Sequence, residues 1–180
     1  MMLSKQKQQT AFDALKEASG YDNALQAPRI MKVVISSGTG KAKDKNRDAV
    51  VLDRLARITG QKPSPRPAKI SIAQFKLREG DIVGYQVTLR GARMYDFLDK
   101  LIHIALPRTR DFRGINESSV DGMGNMTIGI KEHTIFPEAS DEDLKDIFGL
   151  AVTVVTTAKT KAEALRRSVQ KIIRFSSNTP

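Results

Sequence analysis

The stretch GYQVTLRGARMYDFLDKLIHIALP, Gly84 to Pro107, changes its hydrophobic period halfway along, and that change decides the fold class. In its first part apolar residues recur at every second position. Tyr85, Val87 and Leu89 alternate with Gln86, Thr88 and Arg90, the pattern of a strand with one buried face and one polar, partly basic face. Gly91 punctuates the switch. From Ala92 to Leu106, Met94, Phe97, Leu98, Leu101, Ile102 and Ala105 fall on one broad stripe at helical spacing, a core-facing helix that Pro107 is expected to end.

Working outward from there, Lys69 to Arg90 reads as two strands around a loop centred on Phe75 to Asp81. Upstream, Pro63, Pro65 and Pro67 forbid regular hydrogen-bonded structure over several residues. From Asn46 to Thr59, Val51, Leu55 and Ile58 recur at helical spacing, and Gly60 stands where a helix-terminating glycine belongs. Ile30 to Ile35 is an apolar, β-branched strand that breaks at Ser36 to Gly40. A first helix is expected over Gln8 to Ser19. Downstream, residues 108 to 125 form a long glycine-containing loop, of a length that is usually functional or mobile in compact domains. Strands follow at Met126 to Glu132 and Leu150 to Thr157, with a short acidic helix from Ser140 to Phe148 between them. Thr160 and Glu163 offer a capping box for a last helix to about Arg174. The mixture lacks βαβ regularity and predicts an α+β fold: a mostly antiparallel sheet with helices on one face, two layers in a single domain over residues 1–180. Residues 1–9 and 176–180 are polar and expected to be flexible.

The charge is lopsided. Of the 30 Lys and Arg residues, thirteen lie between Arg29 and Arg78 against three acids, Asp44, Asp48 and Asp53, so this third of the chain carries the whole net charge of +10. Such a surface is either a solvated basic face or a site for a polyanion, and nucleic-acid phosphates are the polyanion whose counterion release rewards it. With no cysteine, disulfides, thiolate metal sites and a cysteine nucleophile are excluded, and a reducing cytosolic setting fits. No apolar run approaches the roughly 18 residues of a membrane span, and MMLSKQKQQ lacks the hydrophobic region of a signal peptide.

Sites with catalytic chemistry are poorly supported. The glycines after the first strand miss both nucleotide-loop spacings, because Ile35 stands where the first phosphate-loop glycine belongs and Ala42 where Ser or Thr should follow Lys41. The turn Ser36, Ser37, Gly38 beside Lys41, Lys43, Lys45 and Arg47 can still receive an RNA backbone. His103, inside the apolar helical run, reads as a partly buried packing residue. His133 has no second histidine at metal-ligand spacing. Asp121 to Asn125 echoes a calcium loop without its further ligands and reads as a turn. Phe75 sits among Lys69, Lys76 and Arg78, where it either stacks on RNA or folds back on the core. Residues 132 to 146 hold six acids, Glu132, Glu138, Asp141, Glu142, Asp143 and Asp146, against Lys145, a net −5 that repels RNA and attracts a basic protein.

Three strings, Val87 to Gly114, DGMGNMTIGIKEHTIFPE (Asp121 to Glu138) and GLAVTVVTTAKT (Gly149 to Thr160), resemble the large-subunit ribosomal protein five family of bacteria. PRIMKVVISSGTG (Pro28 to Gly40), TGQKP (Thr59 to Pro63) and KISIAQFKLREG (Lys69 to Gly80) extend the resemblance to about residues 12–175. It implies a non-enzymatic rRNA binder in the cytoplasmic large ribosomal subunit that attaches 5S rRNA to 23S rRNA, touches P-site tRNA and bridges to a small-subunit head protein. It implies no cofactor, metal, membrane or small-molecule substrate. By the same resemblance rRNA contacts fall on Arg29, Lys32, Ser36, Ser37, Gly38, Lys62, Lys69, Thr88, Arg90 and Arg93, and tRNA contacts on Gln74, Phe75, Lys76 and Arg78. The protein bridge falls on Glu138, Asp141, Glu142, Asp143 and Asp146. The chain departs from the family at Ser36, usually Asn, at Met123, usually Arg, and at Met126, usually aromatic.

Overall fold

A computed structural model describes residues 23–40, 45–110, 112, 114–139 and 147–164. Among the described residues there are five strands: β1 (Ile30–Gly38), β2 (Ser64–Pro67), β3 (Ile82–Leu89), β4 (Met126–Ile130) and β5 (Leu150–Thr156). They form one antiparallel sheet in the order β2-β3-β1-β5-β4, which with the helices makes an α+β fold. The helices are α1 (Lys45–Thr59), α2 (Ala92–Lys100) and α3 (Lys161–Ala164). The chain divides into two compact units, residues 34–88 with 129–152, and residues 1–33 with 89–128 and 153–180.

In the first unit α1 buries Val51, Leu55 and Ile58, the stripe that its spacing predicts. It ends where Gly60 takes a positive φ of 67° and its N–H reaches the Ala56 carbonyl at 2.8 Å. Ile35 of β1, Tyr85 and Val87 of β3, and Leu150 and Val152 of β5 are buried with them. Phe136 has no exposed surface, in a pair of short 3-10 turns (His133–Ile135 and Pro137–Ala139), the second of which packs against α1.

Three expectations fail in this unit. Pro63 to Pro67 does not stay irregular: Ser64–Pro67 is an edge strand paired antiparallel with β3. Prolines at alternate positions are tolerated there because the missing N–H groups lie on the unpaired side. Conversely, residues 69–77 form no strand. A single bridge between Ile72 and Leu77 and a 3-10 turn at Ala73–Phe75 make them a tight projection instead. β1 also runs on through Ser36, Ser37 and Gly38 instead of breaking.

In the second unit α2 buries Met94, Phe97 and Leu98, as its stripe predicts. Pro107 does not stop it: the helix widens into a π turn (Leu101–Ala105) and gives one more α turn (Leu106–Arg108). Proline cannot donate to the preceding turn and its ring crowds the carbonyl there, and the wider turn accommodates both defects. Leu101, Ala105 and Leu106 remain buried, as do Ile30, Val33, Leu89, Met126 and Val154. The expected helices at residues 8–19 and 140–148 lie largely or wholly outside the described residues, as does all but the first turn of the helix expected to reach Arg174.

Candidate nucleic-acid interface

In the first unit β3 separates its residues as the alternation requires: Val87 is buried and Thr88 exposed, with Gln86 half-buried. On β1 Ser36 is half-buried and Gly38 exposed at the strand end. Ser37 lies on the inner side, 4 % exposed, and its hydroxyl donates to the Gly149 carbonyl at 2.8 Å. The backbone alongside is close. A Cβ on Gly84 would stand 2.5 Å from the Ser37 carbonyl oxygen, so only glycine lets the chains approach there. Lys62 and Lys69 are exposed. Arg54 and Arg57 of α1 share one carboxylate oxygen of Asp53, at 3.2 and 3.0 Å, which engages part of the helix's positive charge at the surface.

The projection from Ala68 to Ile82 is held shut at four levels. Ala68 donates to Asp81 at 2.8 Å and Gly80 to Ala68 at 3.1 Å; Glu79 N–H donates to the Ser71 hydroxyl at 2.9 Å; Ile72 and Leu77 exchange two backbone bonds; and Lys76 N–H closes on Ala73 at 3.0 Å. Asp81 also accepts from the Arg78 N–H at 3.1 Å. Gln74, Phe75, Lys76 and Arg78 are all exposed, Phe75 by 63 %. Of the two readings of Phe75, folding back on the core is therefore excluded. Ile70, Ile72 and Ile82 of the same projection are also exposed, which the sequence reading missed because it placed them on strands. The signals that could have shown the hairpin were Ser71 and Asp81, short acceptors at either end of it.

In the second unit Arg90 and Arg93 are exposed around the start of α2, and Lys32 is half-buried on β1. Arg29 is exposed while its backbone is fixed, its N–H donating to the Thr157 hydroxyl and its carbonyl accepting from Thr157 N–H, both at 2.9 Å. Asp121 to Asn125 is a turn, as read. The Asp121 carboxylate accepts from Met123 N–H at 3.0 Å and Asn125 N–H at 2.7 Å, and from the Asn125 side chain at 2.9 Å. Those bonds, the Asn125 side chain's first, hold its carboxyl below the usual range. Met123 is exposed at the tip and Met126 fully buried in the core.

Neither histidine sits in a catalytic arrangement. His103 is exposed, not partly buried: it lies two residues from both Leu101 and Ala105, which puts it on the opposite side of the helix from them. His133 is 5 % exposed and stacks on Phe148 with ring centroids 4.2 Å apart. Its Nδ1 accepts from Phe148 N–H at 3.3 Å, and its backbone N–H donates to the Phe148 carbonyl at 3.1 Å. Burial, reinforced by the positive charge of Arg54, holds its pKa below the ordinary value. Among the described residues no group of His, Asp or Glu could hold a metal ion, and no helix is long and apolar enough to cross a membrane. Of the acidic segment, Glu138 is exposed, and Asp141, Glu142, Asp143 and Asp146 lie outside the described residues.

Comparison with known proteins agrees with this non-catalytic, cation-bearing surface. The family model for ribosomal protein L5 matches residues 23–78, and the model for the C-terminus of the same ribosomal protein family matches residues 82–175. The large ribosomal subunit protein uL5 of Heliobacterium modesticaldum is 53 % identical over 163 residues, covering 89 % of this chain and 90 % of its own. The uL5 proteins of Rubrobacter xylanophilus and Mesoplasma florum are 48 % and 50 % identical, covering 90 % and 88 % of this chain and 91 % and 88 % of theirs. Matches of that extent and identity, in the order that the motifs run, make this chain a member of the ribosomal protein L5 family.

Proposed function

We propose that the chain attaches 5S rRNA to 23S rRNA in the large ribosomal subunit, where it is a structural, non-enzymatic constituent serving translation. The observation that carries this reading is the family match along nearly the whole chain, at about half identity to large-subunit proteins. The charge supports it, since residues 1–80 hold sixteen bases and seven acids, a net +9, against +1 for residues 81–180. In the first unit Gly38, Lys62, Lys69 and Thr88, and in the second Arg29, Arg90 and Arg93, are exposed as rRNA contacts require. Ser36 and Lys32 are half-buried, and Ser37 is buried with its hydroxyl held by the Gly149 carbonyl, so it supports the strand rather than offering itself to RNA. The closed hairpin carrying Gln74, Phe75, Lys76 and Arg78 serves P-site tRNA, and the acidic segment from Glu138 to Asp146 serves a basic small-subunit head protein.

Gel-shift titration of the purified chain against 5S rRNA and against an unrelated RNA of equal length tests the reading. Affinity for 5S rRNA at least about a hundredfold higher at physiological salt is expected, well inside the specificity range of nucleic-acid readers. Equal affinity for both RNAs would leave a general RNA-binding protein and refute the assignment.

A further inference from the structure

Between Asp53 and Glu79, residues 54–78 hold seven Lys or Arg and no acid, and β2 lies inside this stretch with all four residues exposed. It is an edge strand, so one side of its backbone pairs with β3 and the other does not. Successive residues of a strand direct their N–H and C=O to opposite sides. Pro65 and Pro67 have no N–H to give. Ser64, Pro65 and Arg66 lie opposite Gln86, Tyr85 and Gly84, with a register shift before Pro67. The Val83 carbonyl accepts from Thr39 N–H at 2.9 Å on the β1 side, which turns Gly84 and Gln86 toward β2, and beyond the shift Ala68 N–H donates to Asp81 at 2.8 Å. Ser64, Arg66 and Ala68 are therefore the residues turned toward β3, and Pro65 and Pro67 are turned outward. The open edge carries two carbonyl acceptors and no amide donor, with exposed Lys62, Arg66 and Lys69 along it.

We propose that this acceptor-only edge reads ribose 2′-hydroxyls of 5S rRNA, an inference that rests on the rRNA-binding reading above. Another β-strand needs donors as well as acceptors, and this edge offers it none. A DNA strand has no donor on its sugars. RNA does: each 2′-hydroxyl can donate to a carbonyl, and the phosphates beside it suit the three cations. The carbonyls of Pro65 and Pro67 select RNA by its sugar without reading base sequence, while Lys62, Arg66 and Lys69 hold the strand against the edge.

The test combines two measurements on the full chain with 5S rRNA. One is interference mapping with 5S rRNA carrying a 2′-deoxy sugar at single random positions; the other is photo-crosslinking from a benzophenone side chain at Ser64. Loss of one hydroxyl donor at a contacted ribose should weaken binding about twofold to tenfold, at one or two nucleotides that coincide with the crosslinked stretch. Crosslinks to nucleotides whose 2′-hydroxyls are dispensable overturn the proposal and leave a purely phosphate contact. Binding with no crosslink from Ser64 also overturns it, by placing the RNA elsewhere. Failure of 5S rRNA to bind at all instead refutes the rRNA-binding reading, and the edge proposal with it.

Discussion

Phe75→Ala and Phe136→Ala remove the same side chain from opposite surroundings, and their consequences should separate cleanly. Phe136 has no exposed surface and Phe75 has 63 %. Truncating a fully buried phenylalanine costs about 3–5 kcal/mol, the lost transfer energy plus a cavity. Phe75 withholds only about a third of its surface from water and leaves no closed cavity, so its truncation forfeits roughly a third of the ~1.5–3 kcal/mol for full burial, about 0.5–1 kcal/mol. At about 2–4 °C per kcal/mol for a chain of this size, melting should fall by about 1–4 °C for Phe75→Ala and about 6–20 °C for Phe136→Ala. On RNA the order reverses, because stacking on a base is worth about 1–3 kcal/mol, roughly 5- to 150-fold. Phe75→Ala should leave 5S rRNA affinity within about twofold, since a projecting loop adds nothing to a surface it does not touch, while tRNA leaves the P site of ribosomes carrying it faster. Thermal melting, 5S rRNA gel shifts and tRNA dissociation from reconstituted ribosomes give the three numbers. A melting loss as large as that of Phe136→Ala, or loss of 5S rRNA binding with unchanged tRNA residence, would refute the assignment of the hairpin.

Arg29→Ala with Arg90→Ala should weaken 5S rRNA binding while the cooperative thermal transition persists, because both side chains are exposed; loss of that transition would make them structural. Binding should be strongly salt-dependent, with a log–log slope of about −3.5 to −7 if roughly 5–8 phosphates are neutralised. A slope near zero would remove the electrostatic account. His133 binds its proton less readily folded than unfolded, so the unfolded chain takes up more protons below the unfolded value of about 6.5. Stability should therefore be full above that pH and fall as the solution is acidified toward the folded pKa. Denaturant titrations of the native chain and of His133→Phe between pH 7.5 and 5 should differ in slope against pH, and identical slopes would contradict the burial of a neutral imidazole.

The sequence is legible where one residue pattern carries the whole signal. The shift from period two to helical period at Gly91 places β3 and α2, and alternation along β3 puts Thr88 and Arg90 outward. Gly60 ends α1 where a glycine is the simplest terminator. It is least legible where pairing overrides local preference. Three prolines argue against a strand at Ser64–Pro67, yet an edge needs only its alternate donors. Ser36 to Gly38 have weak strand propensity, and it is the glycine across from them, Gly84, that permits the extension. Pro107 is an ordinary stop, and only the structure shows a π turn absorbing it. Counting in twos from Ile35 already turns Ser37 inward, a parity that resemblance to a family does not reveal. The exposure of Phe75 depends on a hairpin closed by Ser71 and Asp81, residues whose partners lie eight and three positions away.

Lys76 is the one residue other than glycine, among those described, with a positive φ, 52°. A left-handed backbone costs a side-chain-bearing residue about 1–2 kcal/mol, and glycine would occupy the position without that strain. Lys76→Gly should accordingly stabilise the isolated protein, raising its melting temperature by a few degrees, about 2–4 °C per kcal/mol relieved, while depriving the hairpin tip of its ammonium. The left-handed turn at Lys76 thus trades backbone strain, on the order of 1 kcal/mol, for an ammonium fixed at the hairpin tip, and because the same backbone is present with and without RNA that strain lowers the stability of the chain without entering its affinity.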